Sequence, residues 1–133
     1  MAKILLMDDD GSICEYVELI LADAGHDVTI ASDGFKGMEA FKSKHFDLVI
    51  VDIFMPEMEG IETIQELARL DKCLPIIAVS GGISDRYPLD YLNMAKKFGA
   101  QITLRKPLRS EELKFAVHEC LHLPSSERGN PFP

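Results

Sequence analysis

Five polar side chains stand where short hydrophobic runs end: Asp8 and Asp9 after Ile-Leu-Leu-Met, Asp52 after Leu-Val-Ile-Val, Ser80 after Ile-Ile-Ala-Val, and Lys106 ahead of Pro107. Gathered in one place, Asp8, Asp9 and Asp52 could hold magnesium. That ion wants oxygen ligands in an octahedron, keeps several waters, and takes one or two carboxylates alongside phosphate oxygens. A carboxylate can also attack a phosphoryl group if cations neutralise the equatorial oxygens and keep the reactants in line. Asp52 suits that role. It precedes Ile-Phe-Met-Pro-Glu-Met-Glu-Gly, in which Pro56 and Gly60 would stiffen and then turn the loop, leaving the carboxylate exposed. Ser80 would donate its hydroxyl to one phosphate oxygen, and Lys106 would bring a point charge to another or to Asp52 itself. The cofactor expected is Mg2+, for which Mn2+ could substitute. Any one of these acids alone would read as a turn residue or a helix cap. Crowding several like charges at one edge is unfavourable without a cation between them, and this favours the joint reading.

Parallel strands would bring such distant residues together, because ligands of open α/β sheets bind beyond the carboxyl ends of the strands. Lys3–Met7, Leu48–Val51 and Leu74–Val79 are too short and too uniformly apolar for amphipathic helices, and read as strands buried on both faces. Weaker strands are expected at Asp27–Ala31 and Gln101–Leu104. Between them, Ile13, Val17, Ile20, Leu21 and Ala24 make one helical stripe, and Ile61, Ile64, Leu67 and Ala68 another. Ser12 and Glu15 fit a capping box at the start of the first helix, and Gly25 its stop. Ser110, with Glu111 and Glu112, opens a last helix that turns Leu113, Val117, Cys120 and Leu121 inward. Five βα units with right-handed crossovers give a doubly wound, flavodoxin-like (βα)5 domain with strand order 2-1-3-4-5. This domain is expected over residues 2–122. The loop Ser80–Pro88 is rich in breakers and borders the crevice, and residues 123–133 have the composition of a flexible tail.

With 133 residues the chain is long enough for one domain. Its formal charge of −8, from 22 acidic and 14 basic side chains, opposes direct binding to nucleic acid. The N-terminus lacks a signal-peptide layout and the apolar runs are strand-sized, so a cytoplasmic protein without membrane attachment is expected. Cys14, Cys73 and Cys120 lack ligand spacing and read as reduced thiols. His118 and His122 at i, i+4 could touch a metal but have no third ligand, and read as basic groups near a helix C-terminus. The isomer of the Lys106–Pro107 bond is left open by the sequence.

The segments Ile-Leu-Leu-Met-Asp8-Asp9-Asp10, Asp52-x-x-Met55-Pro56-x-Met58-x-Gly60, Pro75-Ile-Ile-Ala-Val-Ser80-Gly81, Phe98-Gly99-Ala100 and Lys106-Pro107 together resemble the receiver domains of two-component response regulators. The resemblance implies that Asp52 is the phosphoacceptor, that Asp8 and Asp9 form the metal-binding acidic pair, and that the backbone carbonyl of Phe54 joins them as a magnesium ligand. Asp10 would be a neighbour of that pair. The resemblance further implies phosphoryl transfer from a phosphohistidine on a sensor histidine kinase or histidine phosphotransfer protein. The domain would catalyse this transfer and the later hydrolysis itself, without being a turnover enzyme. Ser80 and Lys106 would then read the phosphate and change the helix 4–strand 5–helix 5 face toward a downstream target protein. Thr103 stands where such domains usually carry an aromatic switch residue, three positions before the lysine. The protein is expected to be a stand-alone receiver, monomeric or weakly dimeric.

Asp8-x-Asp10-Gly11-Ser12 is also similar to the nucleophile motif of haloacid-dehalogenase-type phosphatases, with Asp8 attacking phosphate and Asp10 as acid/base. That alternative leaves the Asp52 segment unexplained and has no acidic pair beyond the lysine. A third alternative keeps the receiver fold as a binding module independent of phosphorylation.

Overall fold

The computed structural model describes residues 1–54, 60–81 and 88–122. Met55, Pro56 and Met58, most of the Ser80–Pro88 loop and the tail expected over 123–133 lie outside the described residues. Among those described, strands and helices alternate: β1 (Lys3–Met7), α1 (Gly11–Asp23), β2 (Asp27–Ala31), α2 (Gly34–Ser43), β3 (Leu48–Asp52), α3 (Gly60–Leu70), β4 (Ile76–Ser80), α4 (Pro88–Phe98), β5 (Ile102–Arg105) and α5 (Ser110–Leu121). The strands form one all-parallel sheet in the order β2-β1-β3-β4-β5. This is the doubly wound arrangement that the spacing of apolar runs predicts.

Alternate residues of the central strands feed two separate apolar layers, because successive side chains of a strand point to opposite faces. Leu5, Met7, Val49, Val51, Ile76 and Ala78 pack with Met38 of α2, Ile64 and Leu67 of α3 and Ala95 of α4. Ile4, Leu6, Leu48, Ile50, Ile77 and Val79 pack on the other side with Val17 and Leu21 of α1 and Leu113, Val117 and Cys120 of α5. Burial on both faces is why these strands read as continuous hydrophobic runs.

Several local expectations are corrected. The capping residue of α1 is Asp10 instead of Ser12: its carboxylate accepts from the backbone N–H of Ser12 at 3.0 Å and Ile13 at 3.4 Å. A carboxylate in extended backbone two residues ahead reaches the free amides first, and its charge suits the helix N-terminus. Cys14 belongs to the buried stripe of α1, whereas Ala24 is exposed past the last turn. Gly25 does close that helix. Its φ is 92°, its N–H donates to the Ala22 carbonyl at 2.9 Å, and His26 N–H donates to Leu21 at 2.9 Å, the paired bonds of a Schellman stop. At α5 the cap position falls on Arg109, which makes no side-chain capping bond, and Ser110 is the first helical residue. β4 begins at Ile76, two residues later than the hydrophobicity suggests, since Pro75 has no N–H to give a ladder.

Candidate functional site

β1, β3, β4 and β5 end at one edge of the sheet, and each delivers a polar group there. Asp8 follows β1 directly, held by its N–H to the Ala31 carbonyl at 3.1 Å. Its Oδ1 accepts from the Asp10 N–H at 2.9 Å, and its Oδ2 lies 3.0 Å from Lys106 Nζ. Asp52 is the last residue of β3, so the ladder itself fixes it. Its Oδ1 accepts from the Phe54 N–H at 3.2 Å and its Oδ2 from Lys106 Nζ at 3.3 Å. Lys106 thus bridges carboxylates from two strands. Its own backbone is fastened by an N–H to the Ser80 carbonyl at 2.8 Å, and its bond to Pro107 is cis.

The expectation of an exposed Asp52 is overturned: it is 4% exposed and Asp8 is 3% exposed. The turn expected at Gly60 is also corrected. Gly60 donates its N–H to the Ile53 carbonyl at 2.9 Å. A Cβ at Gly60 would fall on the Asp52 carbonyl oxygen and the Ile53 Cα. Gly60 therefore serves close approach of α3 to the backbone at the end of β3, the second of the two uses of glycine.

Burial, and then the neighbouring Asp8, push the Asp52 carboxyl up to about 7, against the opposing pull of Lys106. Burial works to lower the Lys106 ammonium, but the Asp52 and Asp8 carboxylates outweigh it and leave its pKa above the usual value. Two buried carboxylates therefore share one ammonium.

One carboxylate oxygen from each of Asp8, Asp9 and Asp52 can be chosen so that all lie within 4.8 Å of one another. Asp9 is exposed while the other two are buried, so the cluster opens to solvent on one side. An all-oxygen, strongly anionic donor set of this kind fits a hard divalent cation such as Mg2+ or Mn2+.

Ser80, fully buried, ends β4 beside Asp52, whose register partner is Val79. Phe54 is anchored to Asp52 through its backbone N–H, and its side chain is exposed. Thr103 is not gathered into the cluster. It sits mid-strand in β5 opposite Ala78, half-buried, and lines a groove of about 540 Å³ that it shares with Lys106, Arg105 and Arg109.

Asp10 is a neighbour of the acidic pair, as the resemblance implies, but its supporting role and that of Cys14 were not foreseen. Asp10 places Asp8 through its N–H while its side chain caps α1, so the third acid of the run builds the site without belonging to it. Cys14, one turn into α1, donates its thiol to the Asp8 carbonyl at 3.4 Å, and burial, then Asp8, push that thiol up to about 11. Its i+4 spacing from Asp10 was the available signal.

Among the described residues no helix is long and apolar enough to cross a membrane.

Comparison with known proteins places these features in a wider set. The family description "Response regulator receiver domain" matches residues 4–118. The transcriptional regulatory protein ZraR of Klebsiella oxytoca is 36% identical over 118 residues, which make up 89% of this chain and 26% of that protein. The chain thus spans about a quarter of the length of that relative. A response regulator receiver domain protein from Clostridium thermocellum superposes with a TM-score of 0.83 at 29% identity, covering 91% of this chain and 94% of that one. The Vibrio cholerae chemotaxis protein CheY4 gives a TM-score of 0.77 at 30% identity, covering 90% and 98%.

Proposed function

The chain belongs to the response regulator receiver domain family, and on that premise we propose that it accepts a phosphoryl group on Asp52 from a phosphohistidine donor, with a divalent cation held by Asp8, Asp9, Asp52 and the Phe54 backbone carbonyl. The observation that carries the proposal is the convergence of Lys106 with the two buried carboxylates at 3.0 and 3.3 Å. It gives the nucleophile a cationic neighbour already aimed at the reacting edge, so little reorganisation is required when charge develops there.

In the transfer, an Asp52 carboxylate oxygen forms a bond to phosphorus as the bond between phosphorus and the donor imidazole nitrogen breaks, and the imidazole leaves with the electron pair. Asp52 is held for attack by the Phe54 N–H on its other oxygen. When bound, Mg2+ supplies positive charge that neutralises phosphoryl oxygens and orients the donor. Once Asp52 carries the phosphoryl group as an acyl phosphate, Lys106 loses half of its bridge and can pair with a phosphate oxygen, while Ser80 donates its hydroxyl to another. Because the backbones of Ser80 and Lys106 are joined, a pull on either is passed to the α4–β5–α5 face. A downstream target reads that face, and a sensor histidine kinase or phosphotransfer protein supplies the phosphoryl group.

The capping role of Asp10 speaks against the phosphatase alternative, which needs that carboxylate free for acid/base work. Intact mass after incubation with Mg2+ and phosphoramidate tests the proposal. Wild type gains one phosphoryl group and Asp52→Asn gains none; equal labelling of the two would overturn it.

A further inference from the structure

A second concavity lies at the opposite end of the sheet from the acidic crevice. His26 marks that end: it precedes β2, and its Nδ1 accepts the Ala2 N–H, ahead of β1, at 3.1 Å. The groove has a volume of about 350 Å³, within the range of small-molecule sites. Its floor is apolar, built from Leu21 of α1 and Val117 and Leu121 of α5. Its remaining polar walls are all basic or neutral nitrogen: His26, Lys114, His118 and His122. Among the described residues no carboxylate lines it, although acidic side chains outnumber basic ones by 22 to 14 in this chain. Lys114 is the formal positive charge on this groove, and it is set beside an apolar floor.

Helix ends account for only part of this lining. His118 and His122 close α5, where cations suit the macrodipole. Their rings stack with centroids 3.9 Å apart, and His122 Nδ1 donates to the His118 carbonyl at 2.8 Å. Lys114 stands in the N-terminal half of α5, where the dipole gives a cation nothing, and has no ion-pair partner among the described residues. His26 lies beyond the end of α1. Since its Nδ1 is the acceptor from Ala2, the neutral ring carries its proton on Nε2 and is a hydrogen-bond donor there. Burial, then the N-terminal ammonium, keep its pKa below the ordinary value and so favour that neutral form. A lysine and an imidazole N–H beside an apolar floor match one ligand chemistry.

We infer that the groove between α1 and α5 binds a small carboxylate with a short apolar body, its charge on Lys114 and the His26 Nε2–H and its chain over Leu21, Val117 and Leu121. Inorganic phosphate satisfies the donors but not the floor; an uncharged amide satisfies the floor but not Lys114. A metal is a poorer match, because His26 has its Nε2 protonated and, among the described residues, the groove has no thiolate or carboxylate to complete a coordination set.

The test is a titration of the whole 15N-labelled chain with sodium hexanoate at constant pH and ionic strength, followed by amide chemical shifts, with hexanamide and inorganic phosphate run alongside. Saturable shifts are expected at the C-terminal turns of α1 and α5 and at His26, with the Asp8–Asp10 amides unmoved. Hexanamide should bind about five-fold more weakly or worse, as should hexanoate to Lys114→Gln, from loss of one charge-assisted hydrogen bond. Lys114 is exposed, so the variant should fold, as its remaining spectrum will report. Absence of saturable shifts, equal binding of hexanamide, a phosphate response matching that of hexanoate, or an unaffected Lys114→Gln would each overturn the inference.

Discussion

Ionising Asp52 opposes the fold as long as no divalent cation is present, because its carboxyl is buried and Asp8 lies beside it. The linkage follows from the direction of the shift. The native carboxyl binds its proton up to about pH 7, whereas the unfolded one releases it near 3.8, so the native state holds more protons in between. This group's contribution to stability is therefore fully present below pH 3.8 and is lost as pH rises through about 7. Metal-free protein should become less stable across that window through Asp52, and Asp52→Asn should remove the decline. At pH 8 the variant should melt at least about 4 °C above wild type, equivalent to about 1 kcal/mol in a domain of this size. Millimolar Mg2+ should raise the wild-type melting temperature at pH 8 and leave that of Asp52→Asn nearly unchanged. Thermal melts of both proteins with and without Mg2+ check this; a wild type insensitive to Mg2+ at pH 8 contradicts it. Asp8, Asp9, Asp52 and Lys106 were legible in the sequence because each is a polar residue at the end of an apolar run. The bridging of both carboxylates by Lys106 was not, since it depends on how far β5 is offset from β1 and β3.

At the scale of elements, the first helix shows how local signals compete. Ser12 and Glu15 have the spacing of a capping box, yet Asp10 holds the cap because its carboxylate reaches the same amides from a better starting backbone. Asp10→Ala should cost about 1 kcal/mol in chemical denaturation, while Ser12→Ala should change stability by less than about 0.5 kcal/mol. Equal losses would return the cap to Ser12. Gly60 and Gly37 give a second contrast. A methyl at Gly60 meets backbone at the end of β3, whereas at Gly37 it meets the flexible side chain of Met7. Gly60→Ala should destabilise by more than about 2 kcal/mol, since backbone cannot yield without displacing Asp52. Gly37→Ala should stay within about 1 kcal/mol of wild type, as a methionine can repack and alanine is the better helix former. Denaturant titrations separate the two, and similar losses would refute the distinction. The sequence suggested a turn at Gly60 because glycine has two uses, and only the packing of α3 on β3 tells which applies. The five strands were readable to within a residue or two, since burial on both faces leaves an unbroken apolar run; their ends were less so, as Pro75 delays β4 and polar Asp52 and Ser80 extend β3 and β4.

For the molecule as a whole, strand order is what turns separate sequence signals into one site. The order 2-1-3-4-5 sets β3 between β1 and β4, so that Asp52 lies between the acids after β1 and the serine and lysine contributed by β4 and β5. Parallel register then brings all of these groups to the same edge, and right-handed crossovers make this order reachable from five consecutive βα units. That much followed from the alternation of apolar runs and helical stripes. The groove between α1 and α5 did not, because its walls come from residues about ninety positions apart whose types are unremarkable until the helices are placed side by side. The same architecture presents two carboxylates, Asp8 and Asp52, to a single lysine, and the two mechanisms considered for this chain differ in which of them attacks phosphorus. Reduction of the phosphorylated protein with borohydride, followed by peptide mapping, converts an aspartyl phosphate to homoserine and marks the attacking residue. Homoserine is expected at position 52 with unmodified aspartate at position 8; homoserine at position 8 would overturn the role of Asp52 and assign the chemistry to the acidic run after β1.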